Sequence, residues 1–365
     1  MKEQKNDRLT SRGRLSLLFC LLLAPLIRQI PGSVVPRAGS AAWLSVVLAV
    51  PPLLFGAWVF SRMLSRCREG ETLCALLLRG LGKHAGRPFV FLLALWLSLY
   101  AGFVLRAGAD RFVAAVYTES PVWLFAAVML VLVLPAALGR LRVLGRCAEI
   151  SALLLGAVFV LVFLFALPGM DADNLLPLTG DDLPGALGGV PGALSPFVVA
   201  LSLALVDRKT AAAPSVKTLL AALLPLIVLA LLLSLTTVGT FGAELTGSMN
   251  YPFFVMIRGI RLFHLLERVE ALIIAQWVAA DFLLLGVLLR GAGEAFSLTF
   301  CGEAERGARV GIAAAAALAA LGARLCAPTA FALQEIARTL VPAVNAAALL
   351  FVLLAYLIAR ARKTV

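Results

Sequence analysis

Ten apolar runs separated by short polar stretches dominate this chain, at 15–31, 42–60, 88–105, 122–138, 148–166, 192–206, 218–240, 271–289, 310–327 and 341–358. A helix that crosses a bilayer needs about 20 mostly apolar residues. Most runs come close to that length, so each predicts a transmembrane α-helix. The expected organisation is a tail at 1–14, one transmembrane domain at 15–359 and a second tail at 360–365. The basic start and Leu15–Ala24 could be read as a signal peptide. However, the apolar run continues to Ile30 and no small-x-small cleavage pattern follows Pro25, so the first helix is expected to be retained.

Two polar intervals are longer than the rest. The 167–191 stretch is acidic and rich in Gly and Pro, with Asp171, Asp173, Asp181 and Asp182. The 241–270 stretch is semi-polar and suits a surface helix better than a span. No soluble second domain and no short-period repeat is visible.

Composition agrees with the pattern. The chain is 62% hydrophobic and 14% charged, with a mean hydropathy of +0.99. A soluble domain is about 45–50% apolar and about 25% charged. No soluble interior of this size hides so much apolar surface, so the lipid bilayer is the expected second solvent.

Charge gives the orientation. With the N-terminus placed inside, 23 of the 32 Lys and Arg residues fall in the tails and inner loops and seven in outer loops; Arg28 lies within the first run and Arg324 within the ninth. That bias is the positive-inside pattern, and it requires an even number of spans. Both termini and the 61–87 loop are thus expected in the cytoplasm. The net charge of +12 reflects topology, and no nucleic acid is expected as a partner.

Enzyme chemistry finds no support. His84 and His264 both fall in loops, the six cysteines make no CxxC pair, and no P-loop, GxSxG or HExxH occurs. Neither a cofactor nor a metal is expected.

The informative residues are breaks and charges inside spans. Helix 1 carries Pro25, Arg28 and then Ile30-Pro31-Gly32-Ser33. Helix 6 is preceded by Gly188-Gly189-Val190-Pro191-Gly192, with Ser195-Pro196 inside it. Interrupted spans in the first and sixth positions suggest an inverted-repeat transporter, whose ligand sits at the unwound backbone. The alternatives are that helix 1 stops at Pro31 and that the Gly/Pro run is an ordinary loop. The expected ligand site is Ile30, Pro31, Gly32, Ser33 and Ser195, with Tyr100 and Trp277 as walls.

Asp281 lies within helix 8, where a carboxylate costs several kcal/mol unless paired or wet. Arg28 is its expected partner; snorkelling apart is the alternative. Arg106 and Asn345 sit at span ends, where they are expected to snorkel or cap. Glu267, Arg268 and Glu270 sit where an outer segment meets helix 8, and Glu267 and Glu270 share a face. They suit a solvated helix end, or a gate or partner contact.

Several of these segments resemble one family. Pro36-Arg37-Ala38-Gly39-Ser40-Ala41-Ala42-Trp43-Leu44-Ser45 resembles its motif at the start of helix 2. Gly139 through Arg146 to Glu149-Ile150 is similar to its stretch before helix 5, and Leu175-Leu176-Pro177-Leu178 to its outer loop. Tyr251-Pro252-Phe253-Phe254, Ile257-Arg258 and Glu267-Arg268-Val269-Glu270-Ala271 with Trp277 resemble its block leading into helix 8. The family is the spore germination permeases, the B subunits of nutrient germinant receptors, within the amino acid–polyamine–organocation superfamily. Pro25 and Arg28 stand where it usually has a glycine-rich polar segment.

The resemblance implies an all-α membrane protein with a five-plus-five inverted-repeat, LeuT-like bundle. It implies a small germinant, an amino acid, bound between helices 1 and 6 with helices 3 and 8 as walls. It also implies the inner membrane of the spore as location, and A and C receptor subunits as partners. A secondary amino acid transporter and a structural membrane subunit remain the other readings.

Overall fold

The computed structural model describes residues 9–116, 119–176, 179–207, 216–259, 267–300, 305–325 and 328–362. His264, Cys301, Cys326, Arg208, Lys209 and the Pro177-Leu178 part of one motif lie outside these residues, as do the side chains of Glu267, Arg268 and Glu270. The described chain is helical throughout, without a strand.

Ten helices carry the fold: α1 (Ser11–Gln29), α2 (Ala42–Ser65), α3 (Leu73–Val116), α4 (Val122–Leu138), α5 (Leu141–Ala166), α6 (Asp182–Val198 and Ala200–Val206), α7 (Val216–Phe241), α8 (Glu267–Phe300), α9 (Glu305–Leu325) and α10 (Val341–Ala361). Eight stretches are long and apolar enough to cross a membrane. One of them, Ser11–Ser65, has 55 residues. At about 1.5 Å per residue it would measure about 80 Å, far beyond a hydrocarbon core of about 30 Å. It is therefore two spans, α1 and α2. With the shorter apolar helix α4, the described residues make ten.

Burial separates an inner from an outer set. In the most apolar windows of α6 and α3, 72% and 67% of residues are buried, against 28% in α5. Leu17, Cys20, Leu21, Leu22, Leu23, Ala24 and Leu26 of α1 are fully buried. On α5, Ile150, Leu153, Val160 and Leu164 are exposed, as residues facing lipid tails must be.

Lipid is as apolar as leucine, so membrane helices associate through close packing of small residues. A Cβ on Gly102 of α3 would lie 2.6 Å from the Ala319 carbonyl oxygen of α9. On α6, a Cβ at Gly189 would lie 2.4 Å from Ser45 Oγ, and one at Gly192 2.9 Å from Ser33 Oγ.

That packing corrects the expectation for helix 6. The Gly188–Gly192 run is helical, and its glycines let α6 approach α1 and α2. The only interruption in α6 is at Val199, after Ser195-Pro196. Helix 1 is not unwound either. Ile30–Val34 form one π-helical turn, followed by a short helix at Val35–Ala38. Pro31 has no N–H to continue the α-ladder, so the helix widens there. Gly39 then turns the chain at φ 57°, a conformation that residues with a Cβ rarely adopt.

The third span is longer than the sequence suggested. Leu73–Val116 is two helices meeting at Gly82 (φ 79°), and the second continues past Leu105 to Val116. The first helix starts at Ser11, inside the segment expected as a tail. The 241–270 stretch holds two short helices, Ala243–Ser248 and Pro252–Gly259. Two more turns, Ala330–Glu335 and Ile336–Leu340, precede α10.

Candidate functional site

The π-helical turn of α1 borders a small polar cavity. Arg28, Gln29, Gly32 and Ser33 face it from α1, Phe103 and Ala107 from α3, and Tyr251 from the outer stretch. Leu333, Gln334, Ala337 and Arg338 cover it from the turns before α10. Its volume is about 20 Å³. A water molecule needs about 10–15 Å³ by the same measure, so there is room for one water and not for an amino acid. A larger crevice of about 360 Å³, bordered by Trp43, Val47, Leu175 and Leu231, has a wholly apolar lining and offers a charged ligand nothing.

Local hydrogen bonds hold the turn. Ser33 Oγ donates to the Gln29 carbonyl oxygen, and Gln29 Nε2 donates to Tyr100 Oη at 3.3 Å. Arg37 Nη1 reaches the Ser33 carbonyl oxygen at 3.1 Å and the Arg338 carbonyl oxygen at 3.3 Å, tying α1 to the cover. Gln334 Nε2 donates to the Met249 carbonyl oxygen at 2.8 Å, and Arg338 Nη2 to that of Gly247.

Arg28 points into the cavity, only 9% exposed, with its guanidinium 4.7 Å from the centre of the Phe103 ring. Its three nitrogens have no hydrogen-bond partner among the described residues. Asp281 is not that partner. It is 2% exposed and forms an ion pair with Arg111 Nη2. The expected Arg28–Asp281 pair is thus replaced by Arg111–Asp281, because α3 runs on to Val116 and brings Arg111 into the bundle.

The same extension buries a second pair. Arg106 Nη1 and Asp110 Oδ1 lie 3.0 Å apart, one helical turn from each other, and Tyr251 Oη donates to Asp110 Oδ2 at 2.7 Å. Arg106 therefore does not snorkel. Trp277 stands over Arg111 at 5.5 Å and against Phe253 and Phe254; it borders the paired charges, not the cavity.

Ser195 is placed elsewhere too. Its hydroxyl and carbonyl oxygens accept from Asn345 Nδ2 at 3.0 and 3.1 Å, while Trp96 Nε1 donates to Asn345 Oδ1 at 3.2 Å. This buried knot ties α6 to α10 and α3, so Asn345 is not a surface cap. Of the expected ligand residues, Gly32 and Ser33 border the cavity. Ile30 and Pro31 are buried within the same turn, and Tyr100 is one hydrogen bond away through Gln29. Glu267, Arg268 and Glu270 begin α8.

Sequence reasoning missed Gln29, Phe103, Arg111 and the cover with Gln334 and Arg338. The adjacent Asp110-Arg111 pair, just beyond an apolar run, was the available signal. At the opposite end of α1, Arg14 pairs with Asp207 after α6, and Thr10 Oγ1 donates to Glu149 Oε1 at 3.0 Å. Burial raises the Asp207 carboxyl above its usual range, and the Arg14 guanidinium offsets only part of that.

Comparison with known proteins follows the same lines. Residues 8–316 match the family model described as spore germination protein. YfkT of Bacillus subtilis (strain 168), which is named for spore germination, is 24% identical over 259 residues, 70% of either chain. Among solved structures, a Na+-coupled sialic acid symporter in a substrate-bound outward-open state superposes with a TM-score of 0.63 at 13% identity, over 96% of this chain and 80% of that one. At that identity the likeness concerns the fold: a five-plus-five, LeuT-like bundle.

Proposed function

Because the chain belongs to the spore germination protein family, we propose that it is the membrane subunit of a nutrient germinant receptor. Family and fold support a germination-related, multi-pass membrane permease-like protein and point away from an enzyme. On our reading it binds a small germinant, an amino acid, at the π-helical turn of α1, in the inner membrane of the spore. The A and C subunits of the receptor read the change out.

The observation behind this reading is the small cavity, bordered by several polar side chains, between that turn, α3 and the cover at 330–340. A nutrient enters only if the cover moves, and the cover rests on polar contacts from Arg37, Gln334 and Arg338. Ligand binding then shifts an equilibrium between two arrangements of that segment. The second reading is a secondary transporter, favoured by the Arg14–Asp207 closure at the far end of α1, which would open in alternation.

One experiment separates the readings. A strain lacking this chain is tested for germination across a nutrient panel, with labelled-nutrient uptake measured in parallel. Loss of the response to one nutrient without loss of its uptake supports the receptor; equal loss of uptake supports the transporter. Gly32→Leu should abolish the response while membrane protein persists, because Gly32 faces open space in the cavity that a leucine would fill. A normal dose–response in that variant removes the cavity from consideration.

The same reading places both termini and the 61–87 loop in the cytoplasm. Cysteines introduced there should label only from inside, and ones at 171–182 from outside. Glu267, Arg268 and Glu270, at the start of α8, are proposed as a gate or partner contact. Charge reversal at Glu267 should then reduce co-purification of the other subunits, and unchanged co-purification and response kinetics would leave a solvated helix end.

A further inference from the structure

We infer that the cavity at the α1 turn is a carboxylate site, with Arg28 holding the anion; this rests on the ligand-binding reading above and specifies the ligand's chemistry. Arg28 is buried to about nine-tenths, borders the cavity, and leaves Nε, Nη1 and Nη2 without partners. Both nearby carboxylates have a cation: Asp281 pairs through Oδ2 with Arg111, its Oδ1 accepting from nothing among the described residues, and Asp110 is held by Arg106 and Tyr251. Two buried guanidiniums, Arg28 and Arg111, and the partly buried one of Arg106 therefore face two buried carboxylates. One positive charge is left over, and it is the one that faces the cavity. Arg338 at the rim adds a further cation.

A buried cation without a counter-ion is costly, and the Phe103 face returns only part of that cost. A guanidinium presents its donors as a planar fork that matches a carboxylate with two parallel hydrogen bonds. A carboxylate is therefore the group that completes this site.

A second unpaired atom narrows the class. Gln29 Oε1 is buried, borders the same cavity and accepts from nothing among the described residues. Its amide nitrogen is held by Tyr100. Beside the anion position there is thus a vacant acceptor, which calls for a donor on the same ligand. A chloride ion has none; a molecule with a carboxylate and an adjacent ammonium or hydroxyl has both.

Formate, the smallest carboxylate, is the probe, and the purified full chain in lipid nanodiscs is the sample. Replacing chloride with formate at constant ionic strength should raise the thermal midpoint in a concentration-dependent way, since a ligand that binds only the folded state stabilises it. Formamide, added to the chloride buffer, should not. Arg28→Met should accumulate as well as the parent and lose the formate shift. Arg28→Lys keeps the charge without the fork and should need about tenfold more formate. Glycine should act at lower concentration than acetate.

No shift as formate replaces chloride, equal shifts with formate and formamide, or a formate shift retained in Arg28→Met would each overturn the carboxylate site. Acetate matching glycine would remove the donor at Gln29. The germinant reading fails separately. A formate shift lost in Arg28→Met, together with a normal nutrient response in Gly32→Leu, keeps the anion site and discards the receptor ligand.

Discussion

Two arginines are buried in the same bundle, and they are buried differently. Arg111 on α3 has a carboxylate partner in Asp281 and the Trp277 ring over its guanidinium. Arg28 on α1 has the Phe103 ring and no carboxylate partner among the described residues. The first arrangement closes a charge within the chain and links α3 to α8, through Arg111 Nη2 and Asp281 Oδ2 alone: Arg111 Nε and Nη1 and Asp281 Oδ1 have no partner among the described residues. On our proposal the second is completed by a ligand that comes from outside. We take the paired charge as structural and the unpaired one as a binding position.

The sharpest way to break that comparison is to remove one charge from each. Asp281→Ala strands the buried Arg111 and leaves Arg28, Arg106 and Arg111 against one carboxylate. Removing one partner of a buried pair costs about 3–5 kcal/mol, so little of this variant should accumulate in membranes. The double variant Arg111→Met, Asp281→Leu replaces the pair with apolar volume and should recover much of the loss. Arg28→Met, by contrast, removes a charge that has nothing to pair with and should not lower accumulation. Immunoblots of membrane fractions give all three values. If Asp281→Ala and Arg28→Met accumulate alike, the distinction between a structural and a ligand-facing arginine fails.

The next test sets the two sides of the α1 turn against each other. Gly192 of α6 touches Ser33, and a Cβ there would lie 2.9 Å from its Oγ and 3.2 Å from its carbonyl oxygen. Gly192→Ala should therefore force α6 away from the turn, at about 1–3 kcal/mol. Gly32 faces open space, and Gly32→Ala should stay within about 0.5 kcal/mol. Thermal melts of the two purified variants would show a shift for the first and almost none for the second. Similar shifts would mean that the cavity side of α1 is as tightly packed as the α6 side.

These outcomes bear on what was legible in the sequence. All ten helices were, because lipid imposes one length and one composition on every span. Their ends were not. The third span appeared to stop at Leu105 because Arg106 is charged, yet Arg106 is neutralised by Asp110 one turn later. Hydropathy has no means of crediting a charge with a partner. That one boundary hid Arg111, and without Arg111 the natural partner for Asp281 was Arg28. In α6 the error ran the other way. Gly188–Gly192 read as a break because glycine breaks helices in water, whereas here it allows helices to touch. The cover at 330–340 carried no signal, since its role depends on contacts with residues that lie close to it only after folding.

Ser195 gives the smallest and most discriminating effect. The sequence placed it against the ligand; the structure places it under Asn345, away from the cavity. Ser195→Ala removes the hydroxyl that accepts from Asn345 Nδ2. That nitrogen keeps the Ser195 carbonyl oxygen at 3.1 Å, so it is not left without a partner. The loss should therefore stay near one ordinary hydrogen bond, about 0.5–1.5 kcal/mol. It should appear as a slightly lower melting temperature, with an unchanged concentration of nutrient for half-maximal germination. Asn345→Ala should cost more, because it strands Trp96 Nε1 and both acceptors on Ser195 together. A tenfold rise in the half-maximal nutrient concentration for Ser195→Ala, with no change in melting, would put the serine back at the ligand. It would also require α6 to turn its Ser195 face toward α1 when the cover opens.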